Sequence, residues 1–440
     1  MVARKLNKLI AEHPSTSTNK AQHNRPLLVL LDRNMDLITP IQHSSTYQAL
    51  IDDLLTHNAN RVEFTSKADG ARPSLKKFDL DADEDPFYSR HKFNPFPEAI
   101  ESNGAELQDV TSRENAIRSK TVGEGGPPLA DNGDDSNAAS DLASAVDSLP
   151  KLLEQKKQLE MHTSILQAVM NEVAARDVPQ FFELESALAS GQYKNDAAKA
   201  KSEVLSLAID PSKGNVEDKI RLVIVFCLAT TAPGSVVTEV ANAMANALES
   251  RGSTAGNPGS AHGLLDKADR VQLEKGLKAI EYLKNLRSLQ MIPTVSDAED
   301  YGSKVSGNSD LLSGFMARAT NQATGLLAKA AAKVSTAMLG KIVKHRSTRV
   351  VENLCEMKPN SEDDEYLYLD PKVKGDVDMT VLRTMTRAPC REVITFVIGG
   401  GCYAEYQNLQ MIADDRRSVT YGSTELISPC EFLNQLGKLS

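Results

Sequence analysis

Hydrophobic positions along this chain follow two rhythms. Near both ends they form short strand-like runs: "RPLLVLLDRNMDLITP" early on and "EVITFVIGGG" late, each apolar until it stops at an acid or a glycine, and the more mixed "SVTYGSTELI" after them. Such runs, each followed by a helically spaced segment such as "TYQALIDDLL", predict buried strands in βα units. "RVEFTS", starting at Arg61, predicts another short strand, after which strand signals fade until the C-terminal region. A parallel sheet needs cover on both faces and more than two strands, so the two ends of the chain are expected to build one sheet.

Between the ends the rhythm is helical. Leu152, Leu159, Leu166 and Val173 recur every seven residues, and Leu153, Ile165, Val169 and Met170 widen the stripe, predicting a long helix from about Lys151 to Ala175 that ends near Pro179. "KIRLVIVFCLATT" fits a buried strand or a buried helix by periodicity alone, and its helical neighbours favour a helix. The acidic segment rich in glycine, proline and serine before the long helix reads as a disordered loop over about 121–149; a mobile loop is expected over about 251–310 and an acidic one from Pro359. The expected fold class is α/β, a parallel-sheet domain made from both ends of the chain and interrupted by a large, mainly α-helical insertion. The boundaries expected are a linker helix over 1–24, the first part of the α/β domain over 25–77, the insertion over 78–350 and the second part over 351–440.

Composition narrows the function. The 440 residues carry a net charge of -9, no tryptophan and only 5% aromatics, which argues against a basic, base-stacking nucleic-acid groove. The longest clear apolar run, "LVIVFCLA", falls far short of the ~18 residues that span a bilayer, and the N-terminus has no signal-peptide core. A cytosolic protein, or one peripheral to a membrane on its cytosolic side, is expected. Five scattered cysteines without C-x-x-C and eight dispersed histidines give no metal-ligand spacing, so no metal or cofactor is expected.

The chemistry that could make an enzyme is incomplete. Gly399, Gly400 and Gly401, with Ala404, satisfy the letters of the dinucleotide fingerprint, which makes a nucleotide-dependent α/β enzyme the rival reading. The ribose-binding acid is missing, because the next strand-like run ends at Gly422 and Ser423. A tight strand-to-helix turn explains the glycines equally well. Asp32 and Asp36 resemble a phosphatase aspartate pair, but the second acid belongs two residues after the first, where Asn34 stands. A structural role at a junction between elements suits Asp32, Arg33 and Asp36 better. "GSKVSGNS", from Gly302, has P-loop glycine spacing, but Asn308 replaces the lysine. No catalytic residues, small-molecule substrate or enzyme activity are expected.

One segment suggests a membrane surface. From Leu311 to Val351 there is no acid, while Arg318, Lys329, Lys333, Lys341, Lys344, Arg346 and Arg349 are basic. Leu312, Phe315, Met316, Leu326 and Leu327 fall on one helical face, and Lys329 and Lys333 lie where they could meet anionic headgroups.

Taken together, "RPLLVLLDRNMDLITPIQHSSTYQALIDDLL", "LPKLLEQKKQLEMHTSIL", "FFELE", "CEMKPNSEDDEYLYLDP", "ITFVIGGGCYAEYQNLQ" and "VTYGSTELISPCEFLNQL" resemble the Sec-one/Munc-eighteen, or SM, family, most closely its ER-to-Golgi (Sly-one) branch. The resemblance keeps family order and covers nearly the whole chain apart from its loops. It implies an α/β domain with a helical insertion that forms one arm of an arch gripping SNARE helices. It also implies syntaxin-type partners, a place beside ER and Golgi membranes, and a structural turn at Gly399–Gly401. Asp32, Arg33, Asp36, Thr46 and Tyr47 belong to its first matching stretch. Family members begin with a further α/β domain, which binds the N-terminal peptide of the Golgi syntaxin in this branch. Here "VARKLNKLIAEHPSTSTNKAQHNRP" matches only the connection leaving that domain, so this binding is not carried over.

Overall fold

A computed structural model describes residues 1–12, 26–66, 73–122, 135–194, 196–250, 265–293, 344–356, 366–373, 381 and 390–439. In chain order the elements are α1 (Val2–Glu12), β1 (Leu27–Asp32), α2 (Tyr47–Leu54), β2 (Thr56–Asn58), β3 (Arg61–Ser66), β4 (Ser74–Asp79), α3 (Pro86–His91), α4 (Phe96–Val122) and α5 (Asp135–Arg176). They continue with α6 (Val178–Ala189), α7 (Ala197–Ile209), α8 (Val216–Ala229), α9 (Gly234–Ser250), α10 (Lys267–Ser288) and α11 (Arg346–Glu356). The last are β5 (Glu392–Gly401), α12 (Tyr403–Gln410), β6 (Ser418–Leu426) and α13 (Pro429–Lys438). The chain divides into two compact units, one of residues 1–42, 184–305 and 342–440 and the other of 43–183 and 306–341.

In the first unit the two ends of the chain do share a sheet. Its order is β1-β5-β6, all parallel, with Leu27 opposite Val393, Asp32 opposite Ile398 and Glu392 opposite Ser418. Alternation sends Val29, Leu31, Val393, Val397 and Val419 to one face, where Val350, Val351 and Leu354 of α11 and Leu409 of α12 close the core. The ambiguous apolar run is helix α8: Asn215 and Asp218 form a reciprocal capping box at its start, and almost every side chain is buried. From Leu222 to Ala229 the helix is apolar on every face, and such a stretch is stable only inside. The fully buried Lys219 survives there by donating to the carbonyls of Ala208 and Asp210, at 2.8 and 2.6 Å, at the C-terminal end of α7.

The second unit has its own antiparallel sheet, β2-β3-β4, and a core of Tyr47, Leu50 and Ile51 from α2, Phe87 and Tyr88 from α3, and Leu159, Ile165, Leu166, Val169, Met170 and Val173 from α5. Two expectations change here. "RVEFTS" is β3 of this antiparallel sheet rather than a strand of the parallel one, and β4 went unread because "SLKKFD" faces water with only weak alternation. Likewise α2 does not pair with β1 as a βα unit; its apolar face packs in the second unit's core.

The loop readings need correction too. α5 begins at Asp135, so the end of the 121–149 segment is helical and Pro150 lies inside the helix, while 123–134 fall outside the described residues. α10 lies within the 251–310 segment; Leu273, Ala279, Ile280 and Leu283 bury its inner face. The division into units also differs from a single insertion over 78–350, since residues 184–293 group with the parallel sheet. The acidic stretch from Pro359, the Gly302–Asn308 segment and Leu312, Phe315, Met316, Leu326, Leu327, Lys329 and Lys333 lie outside the described residues. Among the described residues, no helix is long and apolar enough to cross a membrane.

Candidate functional site

The glycine turn lies at the end of β5, beside the end of β1. Asp32 ends β1 and accepts a 2.9 Å bond from the Asn34 amide, which starts a single 3-10 turn and swings Arg33 inward. Arg33 is 6% exposed and Glu405, in the first turn of α12, is fully buried. Arg33 Nη1 and Nη2 each reach a Glu405 carboxylate oxygen at 2.8 Å, and Nη1 also donates to the Gly400 carbonyl at 3.0 Å. Tyr421 of β6 donates from its hydroxyl to the same carboxylate at 2.8 Å. Burial alone would weaken the Arg33 charge, but the Glu405 carboxylate outweighs it and raises its pKa. Burial, and then Glu405, push the Tyr421 hydroxyl up.

A second layer locks the loop after β1. Asp36 accepts from the amides of Ile38 and Thr39, both at 3.0 Å, and from the Thr39 hydroxyl at 2.5 Å. Burial opposes its charge, yet Arg33 and Thr39 hold its pKa below the ordinary value. The Thr39 hydroxyl lies 3.3 Å from His345 Nδ1, and Asn408 accepts the His345 amide at 2.8 Å, so the start of α11 is tied to this loop and to α12.

The three glycines serve this closure. Gly399 has φ +126, and a Cβ there would stand 2.5 Å from Arg33 Cβ; at Gly400 it would meet Ile427 Cδ1 at 1.9 Å, and at Gly401 the Tyr421 hydroxyl at 2.3 Å. The amides a pyrophosphate would need are already used: Gly399 N–H donates to Thr424 Oγ1 at 3.0 Å and Cys402 N–H to the Tyr421 hydroxyl at 3.2 Å. The turn is filled by its own protein, so the nucleotide reading loses its site. A cavity of about 390 Å³ does occur away from the turn, between the start of α9 and the end of α10, but Arg287 on its wall is engaged by the carbonyls of Cys227, Thr230 and Ala232.

Of the residues singled out from sequence, the first unit brings together Asp32, Arg33, Asp36 and Gly399–Gly401. Thr46 and Tyr47 belong to the second unit. Thr46 is the N-cap residue of α2 without a side-chain capping bond, and Tyr47 places its hydroxyl 2.9 Å from His162 Nδ1, whose Nε2 lies 2.8 Å from Asp85. Sequence reasoning missed Glu405, Tyr421, Thr39 and His345. An acid in the first turn after the glycines was a readable signal for Glu405, as the natural counter-ion for the arginine that follows the neighbouring strand. Among the described residues no group of three His, Cys, Asp or Glu side chains is placed to hold a metal ion.

The parallel sheet drawn from both ends of the chain is sealed by an internal arginine clamp where a dinucleotide site would keep an open turn, and the sequence matches one family along almost its whole length. The Sec1 family model matches residues 1–435, and the chain belongs to that family. Mouse Sec1 family domain-containing protein 1 is 32% identical over 473 residues, spanning 100% of this chain and 66% of the mouse protein. The sly1 homologue of Drosophila melanogaster is also 32% identical, and protein sly1 of Schizosaccharomyces pombe 30% identical, with the same two coverages. The chain thus spans slightly less than two thirds of the length of these relatives. In structure it resembles Sly1p, solved with an N-terminal peptide of Sed5p, with TM-score 0.62, 24% identity and coverage of 100% of this chain and 62% of Sly1p. It also resembles the SM protein Vps45, solved with the Qa SNARE Tlg2, with TM-score 0.62, 18% identity and coverage of 99% and 63%.

Proposed function

We propose that this chain regulates SNARE assembly in vesicle-mediated transport between ER and Golgi, by holding SNARE helices and without catalysis. The observation that carries the reading is membership of the Sec1 family along nearly the whole chain, together with relatives named sly1. The names of the Sly1p and Vps45 complexes, with Sed5p and Tlg2, supply the class of partner: a syntaxin-type SNARE. The closed glycine turn favours this reading over a nucleotide-dependent enzyme.

α5 offers the contact. Its stripe of Leu159, Leu166 and Val173 is spent on the core, while Leu153, Glu154, Lys157, Gln167 and Asn171 stay exposed along the other side. A long, mostly polar helical face with an occasional apolar residue can align a partner helix through pairs at three- and four-residue steps. Of the basic 311–351 segment, the end from Lys344 is committed to the protein, with Val350 and Val351 of α11 in the sheet core and Lys344 paired with Glu352; the stretch before it would add a membrane tether through Leu312, Phe315, Met316, Leu326 and Leu327, with Lys329 and Lys333 toward anionic lipid. The chain would then work as a peripheral protein on the cytosolic side of ER and Golgi membranes.

Titrating the purified chain into a labelled syntaxin-type SNARE cytoplasmic domain tests the partner class, and saturable binding is expected. Saturable NAD or ATP binding in calorimetry, lost in Gly400→Val, together with no SNARE binding, would replace this reading with the enzyme one. Flotation with anionic vesicles tests the tether: binding at low salt that Phe315→Asp with Leu327→Asp abolishes supports it, and unchanged or absent flotation removes it.

A further inference from the structure

The end of the parallel sheet opposite the glycine turn holds two thiols that the scaffold does not need. Cys355 lies in the last turn of α11 and Cys390 just before β5, and both are half-buried against the same core. They hydrogen-bond to each other. Cys390 Sγ also lies 3.5 Å from the Glu392 carbonyl. The charge of Arg417, just before β6, acts on both thiols, and its Nε is buried with no hydrogen-bond partner among the described residues. A cation whose charge acts on paired thiols favours the thiolate form there.

We propose that Cys390 and Cys355 form a peroxide-sensitive dithiol, in which Cys390 is the attacking sulfur and Cys355 the resolving one. The Cys390 thiolate attacks one oxygen of hydrogen peroxide, the O–O bond breaks, and the other oxygen leaves with a proton as water, giving a sulfenic acid on Cys390. The Cys355 sulfur then attacks the Cys390 sulfur and expels the hydroxyl, which takes the Cys355 proton and leaves as a second water. Peroxide is reduced by two electrons and the two thiols become one disulfide, which fastens the C-terminal end of α11 to the entry of β5.

Position assigns the two roles first, since the Cys390 sulfur makes an exposed contact before β5 while Cys355 sits on α11, and the surrounding charges agree with it. The hydrogen bond from Cys355 comes first in lowering Cys390 to about 7, outweighing burial, with help from the backbone at Leu27 and Glu392 and from Arg417. Cys355 is pushed up by its bond to Cys390, by burial and by Glu356, against Arg417. The remaining thiols are poor competitors: burial raises Cys227, Cys402 and Cys430, the last to about 11. Low thiolate pKa with partial exposure selects the site of oxidation.

The test uses the full chain, hydrogen peroxide in stoichiometric amount, alkylation of remaining thiols and non-reducing peptide mapping. The expected product is an intramolecular link between the peptides carrying Cys355 and Cys390, with the mass of two hydrogen atoms lost, reversed by dithiothreitol. Its rate should rise severalfold between pH ~6 and ~8, as the Cys390 thiol ionises. In Cys355→Ser, dimedone should trap a sulfenic acid on Cys390, while Cys390→Ser should give no adduct on Cys355. The wild-type mapping does not depend on any variant folding. Oxidation that spares the pair, links either thiol elsewhere, or proceeds at a pH-independent rate would overturn the proposal.

Discussion

Two hydrogen bonds of 2.8 Å join the Arg33 guanidinium to the Glu405 carboxylate across 372 positions of sequence. They hold the early strand of the sheet to the helix that leaves the late one. Removing one partner leaves the other charge buried, so Glu405→Ala or Arg33→Ala should each cost about 3–5 kcal/mol in urea unfolding. The paired Arg33→Met/Glu405→Leu variant should recover much of that loss, because it leaves no stranded charge. Single variants within 1 kcal/mol of wild type, roughly the value of an exposed ion pair, would show that the clamp is not load-sharing with the core.

Acid should loosen the same region in two steps. Burial lowers the His345 pKa, so as pH falls the unfolded chain takes this proton first, and stability starts to decline below about 6.5. Asp36 is held below its ordinary value against burial by Arg33 and Thr39, so its contribution is present above about pH 3.9 and is lost as pH falls through its folded-state pKa. Denaturation curves over this range should show His345→Gln removing the upper decline and Asp36→Asn the lower one, the latter with reduced stability near neutrality. A flat profile in the wild type would contradict both assignments.

The glycine turn gives a steric prediction. A methyl group at Gly400 would overlap Ile427, so Gly400→Ala should cost about 1–3 kcal/mol, and Ile427→Ala should cost less in that background than in the wild type. Independent, additive costs in the double mutant would mean that Ile427 does not fill the turn.

The long helix separates packing from recognition. Leu166→Ala should lower stability by about 2–5 kcal/mol, whereas Gln167→Ala, at the next and exposed position, should stay within about 0.5 kcal/mol. Circular dichroism melts compare the two, and similar losses would place the solvent face of α5 wrongly.

The contrast between these elements shows what sequence could and could not reveal. β1 and β5 were legible because apolar runs ending in glycine or acid have few other solutions, and β6 because Val419, Thr420 and Tyr421 are strand-favouring residues placed just after a βα unit. The α5 stripe was legible because seven-residue spacing persists for three turns or more. β4 was not, since Lys76 and Lys77 interrupt its alternation, and neither was the helical start of α5, since Ser, Asn and Asp there match loop composition. Arg33 and the glycines could be named as a structural junction, but Glu405, Tyr421 and His345 meet them only through tertiary contacts far apart in sequence. The assignment of α2 failed for a related reason: chain adjacency to β1 does not decide which core its Tyr47, Leu50 and Ile51 enter.

The central claim is that the exposed face of α5 receives a SNARE helix. A photo-crosslinking residue placed singly at Glu154, Lys157, Gln167 and Asn171, with Leu439 at the far C-terminus as a control, tests it most directly against a purified syntaxin-type SNARE cytoplasmic domain. Covalent adducts are expected from the α5 positions, at SNARE residues that advance along one helix as the crosslinker advances along α5, and none from the control. Binding without α5 adducts, or adducts no different from the control, would contradict it.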